Sequence, residues 1–234
     1  LIGAGLTGPL LATYLAKRGF EIEIFERRPD MRTEPIGAGR SINLAVSLRG
    51  VHALKEVGLF EEIKKIFIPM KGRIIHDLNN SMHFLPYGKG EKEFINSVSR
   101  AELNMKLMSR AEKTGKVKIH FEQRCLGMDF TKRIVSFVDE ASQEKKSLRS
   151  DCVIGTDGSA SNLRSSMESL EGYVSRFIPL GHGYKELSIS ADSNGDFKME
   201  PHGLHIWPRG NYMLIALPNL DRSFTCTLFF PMDG

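Results

Sequence analysis

The sequence predicts an α/β fold in two parts, a βαβ unit at the N-terminus and an antiparallel β-sheet at the C-terminus, on three observations. The first is the opening stretch LIGAGLTGPLLATYLAKRGFEIEIFERR, in which a short apolar run meets a Gly-x-Gly-x-x-Gly turn and then a helical pattern. The second is DCVIGTDGSASNLRSSM, an apolar run that ends in Asp157 and Gly158 and passes into another helix start. The third is the stretch from Tyr184 onward, where KELSIS, FKMEP, LHIWP, YMLIALP and SFTCTLFF follow one another with only turn residues between them. At 234 residues the chain can bury the core of one large domain, or of a domain with a smaller layer. The expected boundaries are residues 1–180 for the first part, with a hairpin inserted at about 69–98, and 181–234 for the start of the second.

In the opening unit each glycine has its own task. Gly3 lets the chain turn sharply out of the strand, Gly5 lets the backbone approach a pyrophosphate with no Cβ in the way, and Gly8 lets the helix pack closely on the sheet. The helix N-terminus then presents free N–H groups and the positive end of its dipole. Pro9 suits the first turn, where a missing N–H costs nothing. Leu10, Leu11, Tyr14 and Leu15 supply an apolar stripe, Gly19 is the expected terminator, and EIEIF alternates as a strand. Glu26 follows at about the 20-residue spacing expected of a carboxylate that accepts both ribose hydroxyls. Together these features make a Rossmann-like βαβ unit for an adenine dinucleotide. A free 2′-hydroxyl points to FAD or NAD rather than NADP.

Further along, Asp30, Pro35, Gly37 and Gly39 mark a loop. LRGVHALKEVGLFEEIKKI has helical spacing in two pieces, broken at Gly58. Pro69 opens KGRIIHDL and SMHFLPY, alternating runs separated by Asn79 and Asn80 in the pattern of a hairpin. SVSRAELNMKLMSRAEK reads as a helix, with Ser99 and Glu102 as its capping box and Leu103, Leu107 and Ala111 on one face. KVKIHFEQRCLGMDF, IVSFVDE and LRSDCVIG alternate as strands, with a turn around Gln143. The closing antiparallel sheet is read as the floor of a substrate domain.

With 41% hydrophobic and 26% charged residues and no repeats, the composition is that of an ordinary globular protein. The net charge of +4 is scattered, which argues against a nucleic-acid surface while suiting an anionic cofactor and an acidic substrate. The three cysteines, Cys125, Cys152 and Cys226, lie far apart in apolar, strand-like runs. That predicts reduced, buried thiols in a cytoplasmic compartment rather than disulfides or a zinc site. No apolar run reaches the roughly 18 residues of a membrane span. Both ends fall in or just after strands, which leaves targeting and anchoring open. His202 and His205 lack further ligands at helical or hairpin spacing, so no metal is assigned, and Trp207 and Met213 are read as packing.

Asp157, Gly158, Ser161 and Arg164, taken with the opening turn, resemble the DGxxSxxR fingerprint of the FAD-dependent aromatic hydroxylases, the single-component flavoprotein monooxygenases. Narrower strings, GRSINLAVSLRG, FLPYG, SVSRAELN, LHIWPR and NYMLIALPNLDRSFTCTLFFP, resemble the kynurenine 3-monooxygenase branch of that family. The resemblance covers essentially the whole chain and corresponds to the N-terminal half or so of such an enzyme.

It implies FAD contacts at Leu6, Thr7, Glu26, Arg27, Arg28, Ala45, Arg100, Cys125 and Asp157, and a pair, Arg73 and Tyr87, that holds the carboxylate of L-kynurenine. Cys125 departs from the aliphatic residue expected there, a change to which a backbone contact is indifferent. The implied reaction consumes NADPH and O₂, uses no side-chain nucleophile and needs no second dinucleotide turn. Leu204, Ile215, Leu217 and Phe229 are candidates for an apolar face towards the substrate ring, and core packing explains them equally well. A third family fingerprint, a GD motif before a flavin-contacting helix, has no match before Gly234, so these residues alone are expected to hold FAD weakly and to lack hydroxylase activity. The rival readings are a flavin hydroxylase of a phenol or benzoate, and a nucleotide-binding module without oxygen chemistry.

Overall fold

The opening glycine turn feeds the helix Thr7–Ala16, and Gly19, at φ +94°, reverses the chain into the strand Ile22–Phe25. These details come from a computed structural model that describes residues 1–33, 43–90 and 93–232. The expected loop at Pro35, Gly37 and Gly39 lies outside the described residues. The chain divides into two compact units, one made of Leu1–Pro35 and Asn104–Phe177, the other of Ile36–Leu103 and Ile178–Gly234. Residues 36–103, expected within the first part of the chain, therefore group with its C-terminal strands.

The first unit is built on a parallel layer. Val117–His120 pairs in parallel with Ile22–Phe25, and Ile2 bridges in parallel to Phe25 on one side and to Gly155 on the other. Ala12, Ala16, Ile22, Ile24, Met108, Ala111, Val117 and Ile119 form the core between helices and strands. On the first helix the buried face is Gly8, Pro9, Ala12, Thr13 and Ala16, whereas the expected stripe of Leu10, Leu11, Tyr14 and Leu15 is only half-buried. Close packing on the sheet selects small side chains, so the stripe judged by hydrophobicity was the wrong face. Beyond the parallel layer, Gln123–Asp129, Ile134–Asp139 and Lys145–Arg149 form an antiparallel meander with a bulge between Cys125 and Gly127. The expected strand LRSDCVIG splits: its first residues end the meander, and Ile154 takes the N–H of Ile2.

The second unit holds a six-stranded sheet in the order His182–Ile189, Phe224–Pro231, Tyr212–Pro218, Gly203–Arg209, Gly72–His76, Met82–Pro86. The last two strands are the predicted hairpin, which thus belongs to this sheet. Neighbours run antiparallel except Gly203–Arg209 beside Gly72–His76, a parallel pair that the expected all-antiparallel arrangement did not include. FKMEP is not a strand; Phe197 and Met199 pack on the Ala216, Phe224 and Cys226 core instead. A smaller sheet places Ile95–Ser99 between Asn43–Val46 and Ile68–Met70. Asn43 Nδ2 and Ser97 Oγ both donate to the carbonyl of Pro218, tying that sheet to the larger one.

The helices Leu48–Glu56 and Phe60–Ile63 are separated by Gly58 at φ +70°. Arg100–Glu112 starts as expected, with Ser99 Oγ accepting the N–H of Glu102, and Leu103, Leu107 and Ala111 are all buried. Cys125 and Cys226 are buried and free, but Cys152 is exposed, because the chain there runs outside any ladder. No helix among the described residues is long and apolar enough to cross a membrane.

Candidate cofactor and substrate sites

The two glycine-bearing motifs meet through their backbones. Thr156 donates its N–H to Ile2 O and its hydroxyl to the carbonyls of Ile2 (2.8 Å) and Gly3 (2.7 Å). A Cβ on Gly3, whose φ is +101°, would lie 2.7 Å from the Thr156 carbonyl, and one on Gly8 would lie 2.1 Å from the Gly3 carbonyl. Both glycines are therefore demanded by the protein's own packing. Gly5 differs: a Cβ there meets nothing within 4 Å. Its bare backbone fits a ligand that approaches from outside. Leu6 offers no side-chain cap to the helix and the first turn carries no acidic residue, so neither takes up the first N–H groups. This is the chemistry a diphosphate needs.

Glu26, 5% exposed, closes the turn from the far side. Its Oε2 accepts the N–H of Ala4 at 2.7 Å, and its Oε1 accepts the backbone N–H and Nε of Arg28 at 3.1 and 2.7 Å. Burial works against ionisation, but the Arg28 and Ala4 donors outweigh it and hold the carboxyl below its ordinary range. Glu26 is thus a fixed anion with lone pairs suited to ribose hydroxyls. Arg27 and Arg28 are exposed beside it. Leu6 is half-buried and Thr7 exposed at the helix start.

Asp157 lines an open groove of about 700 Å³ together with Thr7, Thr156, Ser161 and Arg164 among others. Gly158 follows at φ +80°, and Ser161 Oγ caps the short Asn162–Met167 helix by accepting the N–H of Arg164. Cys125 sits buried at the bulge; burial pushes its thiol pKa up, and the Asp157 charge adds to the shift. Its carbonyl accepts Asn162 Nδ2 at 2.7 Å. The first unit therefore gathers Gly3, Gly5, Leu6, Thr7, Gly8, Glu26, Arg27, Arg28, Cys125 and Asp157, while Ala45 and Arg100, both exposed, belong to the second. Thr156, which joins the two motifs, was missed; its only signal is its place before Asp-Gly.

In the second unit the Arg73 guanidinium carbon stands 5.2 Å from the centre of the Tyr87 ring. Burial raises the Tyr87 pKa and the Arg73 charge partly offsets this, so the hydroxyl stays a proton donor. Arg73 is in register with Leu204 and Leu85, and Ile206 with Ile75 and Ile215. Strand alternation then puts Arg73, Leu204, Ile215, Leu217 and Phe229 on one face. Met213, in register with Phe229 and 37% exposed, shares that face rather than the core.

The opposite face is the core side, and it holds an aromatic stack that the sequence did not suggest. His76 Nε2 lies 2.8 Å from His205 Nδ1, His205 Nε2 donates to the Glu200 carbonyl at 2.8 Å, and Trp207 stacks on His76 with centroids 4.1 Å apart. Burial is the leading cause that lowers both histidine pKa values. His202 lies elsewhere, with Nδ1 on the Pro69 carbonyl, and no His/Cys/Asp/Glu group among the described residues is placed to hold a metal.

Against known proteins, the model of the FAD binding domain family matches residues 1–178. A kynurenine 3-monooxygenase of Myxococcus xanthus is 51% identical over 234 residues, all of this chain and 50% of its own length. One of Anopheles gambiae is 42% identical over 231 residues, 99% of this chain and 48% of its own. The chain thus spans about half the length of the curated relatives it matches. Among solved structures, p-nitrophenol 4-monooxygenase from Pseudomonas putida superposes with a TM-score of 0.79 at 16% identity, over 100% of this chain and 57% of that one. The flavin-dependent monooxygenase PieE, crystallised with FAD and substrate, superposes at 0.77 and 14% identity, over 100% and 42%. Those two likenesses show the fold. With a glycine turn, a buried acid and an Asp-Gly segment meeting in one unit, and the family model running through all of them, the chain belongs to the FAD-binding-domain family.

Proposed function

We propose that this chain is the N-terminal portion of an FAD-dependent kynurenine 3-monooxygenase, which hydroxylates L-kynurenine to 3-hydroxykynurenine with NADPH and O₂ as co-substrates. The observation that carries the substrate assignment is the Arg73–Tyr87 pair beside an apolar sheet face. An amino-acid substrate brings a carboxylate, which a guanidinium fork matches in shape and charge, and a tyrosine hydroxyl adds one more donor. The aromatic ring of the substrate would then lie on Leu204, Ile215 and Phe229, whereas Leu217, 4% exposed, is part of the core. The 51% identity with the matched half of the Myxococcus xanthus enzyme, over the whole of this chain, supports the same reading.

Bound FAD supplies the redox chemistry, taking electrons from NADPH and activating O₂. The chain's own residues bind and orient. Gly5, Leu6 and Thr7 would take the diphosphate on a turn whose close packing requires Gly3 and Gly8, Glu26 would take the ribose, and Arg27, Arg28, Cys125 and Asp157 of the same unit would line the remainder of the cofactor. Arg73 and Tyr87 fix the substrate carboxylate, and the apolar face keeps water from the reacting ring. No side chain is assigned as nucleophile or base.

The test uses the full-length protein. A yellow flavin spectrum and NADPH oxidation accelerated by L-kynurenine, with 3-hydroxykynurenine formed, are expected. Acceleration by a phenol or benzoate but not by L-kynurenine would overturn the substrate, and a protein with no flavin would overturn the reaction class.

A further inference from the structure

Asn104, on the inner side of the Arg100–Glu112 helix, is 5% exposed and has a partner that bears directly on the glycine turn. Its Nδ2 donates to the carbonyl of Ala4 at 3.1 Å and lies 3.4 Å from Met31 Sδ. The N–H of the same Ala4 donates to Glu26 Oε2 at 2.7 Å. The residue between the first two glycines is therefore gripped at both polar atoms, by a carboxylate at its N–H and by an amide at its carbonyl. The amide's orientation is set by that contact, since the flipped form would press Oδ1 against a carbonyl oxygen.

Asn104 Oδ1 itself is buried with no protein donor among the described residues. A buried acceptor left in that state is destabilising; an apolar side chain of similar volume would remove that defect but would take the Nδ2 donor from the Ala4 carbonyl, so the two effects on stability oppose each other. The glycine turn gives the contact a role: Gly5 carries no side chain and Gly3 sits at a positive φ, so the peptides between them have little of their own to hold them still.

We propose that Asn104 is a cofactor-positioning residue, which fixes the Ala4 peptide so that the N–H groups of the turn are preorganised for the FAD diphosphate. Binding then loses less ordering entropy than it would on a loose turn.

The experiment is a flavin titration of the full-length protein, stripped of FAD, alongside thermal melting of the same apoprotein. Asn104→Leu, which removes the unpaired Oδ1 and also the donor to the Ala4 carbonyl, is expected to melt near the native temperature and to bind FAD about tenfold more weakly, the equivalent of about 1.4 kcal/mol. Asn104→Asp keeps the shape, removes the donor and sets a negative charge against the Ala4 carbonyl, and is expected to bind more weakly still. Unchanged FAD affinity in both variants would overturn the proposal. So would an Asn104→Leu apoprotein that melts well below the native one, because the residue would then be structural. The titration needs neither kynurenine nor turnover, so its failure leaves the substrate assignment standing, whereas a native protein that takes up no FAD overturns both.

Discussion

On the proposed assignment, the glycine turn of the first unit and the sheet face of the second each hold part of a small molecule, with different atoms. In the turn the working groups are backbone N–H and carbonyl atoms, placed by glycines and by two flanking side chains, Glu26 and Asn104. On the sheet they are side chains: Arg73 and Tyr87 are brought together by the antiparallel pairing of Gly72–His76 with Met82–Pro86, and the parallel pairing with Gly203–Arg209 sets Leu204 beside Arg73. The first site depends on steric clearance, and the second on charge and register. Substitutions should therefore fail in different ways in the two places.

The largest effect expected is Gly8→Ala. Its Cβ would lie 2.1 Å from the Gly3 carbonyl, backbone that cannot step aside, and destabilisation on the order of 4 kcal/mol or more is expected in denaturant titration. Gly5→Ala sharpens the contrast, since its Cβ meets no protein atom within 4 Å. It should leave the melting temperature of the apoprotein in place and weaken FAD by about tenfold or more, the cost of a methyl at the diphosphate. Equal melting losses in the two variants would break the distinction between packing and ligand glycines.

On the sheet, Arg73→Ala should raise the KM for L-kynurenine about 10- to 100-fold with little change in FAD affinity, as loss of a charged hydrogen-bond pair of roughly 1.5–3 kcal/mol implies. Tyr87→Phe keeps the ring beside Arg73 and removes one donor, so a rise of a few-fold to about tenfold is expected. A kcat loss without a KM change in either variant would move the pair from substrate binding to chemistry.

The smallest effect is a pH dependence confined to the second unit. His76 and His205 have folded pKa values below the ordinary histidine value of about 6.5, with burial the leading cause, Arg209 adding to it at His76 and Glu200 opposing it at His205. The unfolded chain then binds more protons, so their contribution to stability is full above about pH 6.5 and is lost as the pH falls through the folded values. Trp207, the sole tryptophan of these 234 residues, stacks on His76, so its fluorescence reports the event. Acid titration should change that emission before global unfolding, and His76→Phe should abolish the early change.

The same division explains what was legible in the sequence. Glycine spacing, the acidic residue and the Asp-Gly segment are local patterns with a local cause, so the βαβ unit could be read directly. The buried face of the first helix was misjudged because close packing chose Ala12 and Ala16 over larger leucines. The neighbour of the Gly72–His76 strand is set by pairing with a segment more than a hundred residues later, and no periodicity encodes that partner. Asn104 and His76 were missed for the same reason. A polar residue on the otherwise apolar inner face of an amphipathic helix was the one available signal for Asn104, and His76 acquires its role only when His205 and Trp207 arrive beside it.

The most direct test of this division of labour is a paired titration of Glu26→Gln and Arg73→Ala in the full-length protein, reading FAD affinity and then L-kynurenine affinity at saturating FAD. A crossover is predicted, with Glu26→Gln weakening FAD alone and Arg73→Ala weakening L-kynurenine alone. If either variant weakens both ligands equally, or neither weakens its own, the assignment of the cofactor to the turn and the substrate to the sheet is contradicted.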